Sequence, residues 1–153
     1  EALDQSGFEL ALFGGGWGRH RRLGHLARGP VDRSSQLNLV YNFNRINLSI
    51  NHCTTMHQRL AECGLAGGFM MVADHPQPLD WEPARRYFEQ DREVVFFSSQ
   101  KDLVEKAAYY LSHDQPRQAI AAAMHKRAAA QRTCQAAAGT ILKVWRELLQ
   151  SNP

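Results

Sequence analysis

The sequence predicts an α/β fold, with a mostly parallel sheet of about five or six strands and C-terminal helices packed on it. Three observations predict it. Short apolar runs recur near residues 8–13, 29–31, 46–50, 69–73 and 94–97, each bounded by Gly, Pro or polar residues. Helical patterns stand between the later runs, and strands alternating with helices pair in parallel through right-handed crossovers. From residue 99 onward, one helical pattern follows another. In such sheets ligands sit outside the carboxyl ends of the strands, so the loops leaving those ends are where chemistry is sought.

Phe8–Phe13 is the first strand, apolar enough to be buried on both faces. It runs into Gly14-Gly15-Gly16-Trp17-Gly18, where glycines permit a tight turn and close approach of backbone to a ligand. The pattern is not GxGxxG, and a plain strand exit explains it as well. Arg19 to Arg28 is the most basic run. No aromatic residues interleave and Gly24 interrupts it, so it reads as a solvated connector rather than a nucleic-acid patch. Gly29–Val31 is the second strand, with Asp32 at its turn. Ser34 or Ser35 is expected to cap a helix that places Leu37, Val40 and Tyr41 on one face. Arg45–Ile50 alternates as a third strand, with Ile46, Leu48 and Ile50 on one side.

The stretch from Asn51 to Asp74 carries the site. Thr55 and Gln58 form a capping-box pattern that starts a helix at Met56. The first N–H groups of a helix lack intrahelical partners and attract anions. Arg59, one turn in, leans back toward that end, and Glu62 lies three residues on along the same face. The plainer reading is a solvated Arg59–Glu62 salt bridge. Gly67-Gly68 stop the helix, and Phe69–Ala73 is a buried strand.

Asp74–Glu93 is a polar connection with three prolines, anchored by Trp81, Tyr87 and Phe88; Val94–Phe97 is the last strand. Ser99 with Asp102 caps a helix to about Leu111, with Leu103, Val104, Ala107 and Leu111 inward. Asp114 caps an alanine-rich helix to Gln131. Thr133 opens the last helix, carrying Ile141, Leu142, Val144, Trp145 and Leu148. Gly14–Trp17, Val31–Asp32, Asn51–Gln58 and Asp74–Pro78 all fall on one rim of the expected sheet.

The 153 residues suffice for one domain with a core. A net charge of +3 suits a phosphate-bearing small molecule and does not argue for nucleic acid. Three cysteines without a CxxC point to a reducing, cytoplasmic setting, and no apolar run is long enough to span a membrane. His52, Cys53, His57 and Cys63 are close in sequence, but their spacing is not a zinc pattern, and no metal is expected. There is no nucleophile elbow of a hydrolase.

Several segments together carry a resemblance. They are Gly29-Pro-Val31, Leu39-Val-Tyr41-Asn, Ile46-Asn-Leu48-Ser-Ile50, Gln58-Arg59-Leu60-Ala61-Glu62, Ala66-Gly67-Gly68-Phe69, Asp102-Leu103, Tyr109-Tyr-Leu111, His113, Arg117 and Ile120-Ala121. With them the chain resembles the C-terminal, nucleotide-sugar-binding half of a GT-B glycosyltransferase. It is most similar to the CgeB-like group within the glycosyltransferase group 1, family 4-like, enzymes. The resemblance implies a single Rossmann-like three-layer domain over residues 1–153 that binds a nucleoside-diphosphate-sugar donor and needs no cofactor.

By the resemblance, Glu62 matches the second glutamate of an E-x7-E element that binds ribose hydroxyls, and Arg59 matches a basic residue near the diphosphate. The loop with Thr54, Thr55 and His57 would hold phosphate, and Val31 would lie against the base. Gly15, Gly16 and Trp17 stand on the same expected rim. The first glutamate would fall at Thr54, a departure that bears on sugar recognition. A GT-B enzyme also needs an N-terminal acceptor domain, absent from this chain, so the domain alone is expected to be inactive. The alternative is a non-catalytic GT-B-like scaffold or protein-interaction module.

Overall fold

The computed structural model describes residues 1–51, 54–74 and 83–151. Among the described residues there are five strands, with α-helices between the second and third and between the third and fourth, and 3-10 turns between the first and second and between the fourth and fifth. The strands are β1 (Leu12–Phe13), β2 (Ala27–Gly29), β3 (Asn47–Ser49), β4 (Met70–Ala73) and β5 (Val95–Phe97). The helices are α1 (Ala2–Gln5), α2 (Leu37–Phe43), α3 (Gln58–Leu65), α4 (Gln100–Ser112), α5 (Asp114–Gln131) and α6 (Cys134–Ser151). Every strand pair is parallel, as expected. The strands form two sheets rather than one, β1-β2 and β3-β4-β5.

The three-stranded sheet is the centre of a layered α/β fold. β4 lies between β3 and β5 and all four of its residues are buried. Its side chains alternate between two cores, as a strand's must. Met71 and Ala73, with Val95 and Phe97 of β5, pack against Leu103, Ala107 and Tyr110 of α4, Ile120 of α5 and Leu3 of α1. Met70 and Val72, with Phe96, pack against Tyr41 of α2, Leu60 and Cys63 of α3, and Met124 of α5. Phe88 closes this second core, as expected of the connection before β5. Helix α5 therefore serves both layers.

Three expectations change. The Phe8–Phe13 run is not buried on both faces. Phe8, Leu10 and Leu12 are half-buried while Glu9, Ala11 and Phe13 are exposed, because β1 belongs to a pair with only one covered face. In β3 the buried residues are Asn47 and Ser49, and Ile50 is exposed. Asn47 tolerates burial because its Nδ2 donates to the carbonyls of Tyr41 at 2.9 Å and Phe69 at 3.1 Å. Finally, α4 and α5 pack on the sheet but α6 does not: residues 137–150 are exposed throughout. Among the described residues no helix is long and apolar enough to cross a membrane.

Helix α3 ends in a Schellman turn. Gly68 N–H donates to the Cys63 carbonyl at 2.9 Å and Gly67 N–H to that of Gly64 at 3.0 Å, with Gly67 at φ +78°. A Cβ on Gly68 would lie 2.5 Å from the Tyr41 carbonyl oxygen and 2.6 Å from Cys63 Sγ. The glycine pair thus stops α3 and lets it sit close to α2.

Candidate functional site

Helix α3 starts at Gln58, two residues later than expected, because His57 caps it. His57 has extended backbone and its Nδ1 accepts from the Arg59 N–H at 3.2 Å. The Thr55–Gln58 capping box does not form. Thr55 is buried, and its Oγ1 accepts from the Ala84 N–H at 2.8 Å, tying the loop before α3 to the chain beyond Pro83. That long-range demand overrides the local pattern. Thr54 Oγ1 accepts from the Met56 N–H at 3.1 Å.

Glu62 lies in the second turn of α3, and its carboxylate is held from one side. Oε1 accepts from Arg33 Nη2 at 2.6 Å and Gln58 Nε2 at 2.9 Å. Oε2 receives the Tyr41 hydroxyl at 3.5 Å, a long contact. A carboxylate offers about four lone-pair positions, so Oε2 retains acceptor capacity. The Glu62 side chain is 22% exposed, so a ligand can reach it. Burial pushes the Tyr41 phenol up to about 12, and the Glu62 carboxylate adds to the shift, so Tyr41 stays a neutral donor. Glu62 pairs with Arg33 rather than Arg59, whose exposed side chain forms none of the described ion pairs.

Arg33 was not singled out in the sequence. It is placed by a turn built on Asp32, whose Oδ1 accepts from the N–H and hydroxyl of Ser34 at 2.9 and 2.6 Å. The same oxygen accepts from the N–H and hydroxyl of Ser35, both at 2.8 Å. The serines were expected to cap α2; instead they donate to Asp32. Their hydrogen bonds hold its carboxyl down to about 2. The Arg33–Glu62 pair joins the segment leaving β2 to the helix that follows β3.

Val31 is half-buried just before this turn. Gly15, Gly16 and Trp17 follow β1, whose Phe13 pairs with Gly29 of β2, so both segments leave the same end of one parallel pair. Gly14 N–H donates to the Gly29 carbonyl at 2.8 Å, and Gly14 and Gly16 have φ of +121° and +90°. Trp17 stands beside Gly14 in a 3-10 turn, Trp17–Arg19. The described contacts thus bring Glu62, Gln58, Arg33 and Tyr41 together, while Val31 lies two residues beyond Gly29, whose carbonyl receives the Gly14 N–H. Those of Gly15, Gly16 and Trp17 stay within their own turn, the 3-10 turn Gly24–Leu26 that follows it, and β2.

At the carboxyl end of β4 a second ion pair caps the sheet. Arg85 Nη2 meets Asp74 Oδ2 at 2.7 Å, and the guanidinium lies over the Phe96 ring at 4.3 Å. The rest of the expected Asp74–Pro78 rim lies outside the described residues, as do Trp81, His52 and Cys53. Cys63 is fully buried, and desolvation pushes its thiol up to about 12, which keeps it protonated and apolar in character.

The model of a family described as glycosyl transferase-like matches residues 1–143. No curated protein matches the chain. The match spans nearly all of the sequence, and the chain belongs to this glycosyl transferase-like family.

Proposed function

We propose, with that membership as the premise, that this chain is the donor-binding domain of a sugar-transferring enzyme. It would be the C-terminal half of a GT-B, CgeB-like arrangement acting in the cytoplasm on a nucleoside-diphosphate sugar. The observation that carries the reading is the state of Glu62. Its Oε1 is fixed by Arg33 and Gln58 while Oε2 keeps capacity toward solvent, the arrangement a ribose diol needs. Arg59, outside the described ion pairs and at the start of the same helix, supplies positive charge for the diphosphate.

In the transfer step the acceptor oxygen bonds to the anomeric carbon as that carbon's bond to the diphosphate breaks. The diphosphate leaves with the electron pair, and Arg59 stabilises its charge. The acceptor's proton goes to a base on an acceptor domain supplied from outside these 153 residues. No cofactor takes part. One observation favours the second reading, a non-catalytic scaffold or interaction module: position 54 is a threonine whose hydroxyl accepts from the Met56 N–H, where the family pattern has a carboxylate.

Calorimetric titration of UDP, GDP and uridine into the folded chain separates the two. Binding of at least one at millimolar concentration is expected, about −4 kcal/mol or better. A folded chain that binds none of the three leaves the scaffold reading in place.

A further inference from the structure

The end of the sheet opposite the proposed donor rim carries a cleft of about 500 Å³. It lies beside the amino end of β5, between the turn before that strand, the last turns of α4 and the first turns of α5. Phe69, the residue before β4, meets the Tyr110 ring of its wall at 4.8 Å. Small-molecule sites span about 300–1,000 Å³, so the space suffices for a ligand.

The walls differ in chemistry. On α5, Pro116, Ala119 and Ala123 share one face, and their small side chains leave the space open. On α4, Tyr109 and Tyr110 form a fixed aromatic wall. Their rings meet edge to face at 5.0 Å, and the His113 ring stacks on Tyr109 at 4.2 Å. Burial, and then the charge of Asp91, raise the Tyr110 phenol, which stays a neutral donor and acceptor. Asp91 and Arg92 supply the polar wall. Among the described residues Asp91 alone, glycines apart, has a positive φ, +59°, in a turn closed by its N–H on the Val94 carbonyl at 2.8 Å. Its Oδ2 accepts from Gln90 Nε2 at 3.0 Å, and the carboxylate keeps further acceptor capacity. Arg92 gives Nη1 to Glu89 at 2.9 Å and keeps its other donors.

We propose that this cleft is a binding site for a neutral saccharide. The charges of Asp91 and Arg92 cancel, which favours neither a phosphate nor an amine. A plain hydrocarbon would cover both residues and leave their polar atoms without partners. A sugar ring suits every wall. Its hydroxyls donate to Asp91 and accept from Arg92, while its C–H faces lie on Tyr109 and the alanines. In a glycosyl transferase-like chain, such a site would hold an acceptor glycan away from its reacting end. The binding itself does not depend on the donor reading; this role does.

The test is calorimetric titration of maltotriose, cellotriose and triacetylchitotriose into the full chain. At least one should bind with a Kd of roughly a millimolar or tighter, and UDP should not displace it. Ala119→Phe fills the cleft from an exposed helical position. Asp91→Gly keeps the left-handed turn and removes the carboxylate. Each should weaken binding at least about tenfold. Should circular dichroism show Asp91→Gly unfolded, Ala119→Phe decides alone. Binding of none of the three sugars at roughly ten millimolar overturns the proposal. So does binding that the cleft substitutions leave intact, displacement by UDP, or a preference for ethanolamine or inorganic phosphate. A chain that binds a trisaccharide through the cleft but no UDP supports the proposal and refutes the donor reading alone.

Discussion

At the scale of single residues, the proposed site separates two kinds of contact. Arg59→Ala should weaken nucleoside-diphosphate binding by about 1.5–3 kcal/mol, as for a charge-assisted hydrogen bond, and the loss should shrink in high salt. Glu62→Ala should weaken nucleosides and nucleotides alike and depend less on salt. Titrating both variants with UDP and uridine at two salt concentrations checks this; equal effects of both substitutions on uridine would defeat it. Asp32 gives a pH prediction. Its carboxyl is lowered from 3.8 to about 2 by the Ser34 and Ser35 hydrogen bonds. A lowered carboxyl adds stability above its unfolded value, and that stability is lost as pH falls through the folded value. Asp32→Asn should therefore have a lower melting temperature than wild type above about pH 4, with the gap closing toward about pH 2. A gap that persists in acid would show that the turn's contribution is not the carboxylate's.

Elements divide by how local their causes are. Strands β4 and β5 and helices α4 and α5 were legible, because continuous apolar runs, Ser99 with Asp102, and the alanine-rich run after Pro116 act within a few residues. Asp114 does not cap α5, whose N-cap is His113, and pairs with Arg45 and Arg117 instead. Apart from Ser34 and Ser35, which turn to nearby Asp32, the faces and caps that failed had distant partners. Asn47 is satisfied by Phe69, 22 residues away, Thr55 by Ala84, 29 away, and Glu62 by Arg33, 29 away. Of the site, Glu62 and Arg59 were visible as a helix face; the Arg33 and Tyr41 contacts that position Glu62 were not. The apolar face of α6 was read as core, since amphipathicity defines a face without saying what covers it. The close approach of α3 to its neighbours is testable. Gly68→Ala should cost about 1–3 kcal/mol, since a Cβ would meet backbone at α2. Met124→Ala should cost about 2–5 kcal/mol by opening a cavity beside α3. Urea denaturation measures both; a Gly68→Ala variant as stable as wild type would mean the α2–α3 gap yields freely.

For the whole molecule, what is present matters as much as what is bound. Besides the layered α/β unit, the proposed function needs an opposing domain for the acceptor. The purified chain is expected to bind the nucleotide without transferring sugar from UDP-linked donors to added acceptors. Turnover above a buffer control would show that the domain is catalytically self-sufficient. Hydrolysis of the donor without acceptor would carry the same message.

Helix α5 places Ile120 in the core on one side of the sheet and Met124 in the core on the other. A single rigid element is thus shared by two layers that would otherwise be separate packing units. Neither layer can open without pulling on the helix that also closes its opposite. Unfolding should then be all-or-none in α5 and both cores, and amides of β4, α3 and α4 should exchange with solvent at one common free energy. Helix α6, whose residues 137–150 are exposed, should exchange far sooner. Calorimetry should return one transition whose van't Hoff and calorimetric enthalpies agree. A two-step melt would mean that the layers part while α5 stays with only one of them.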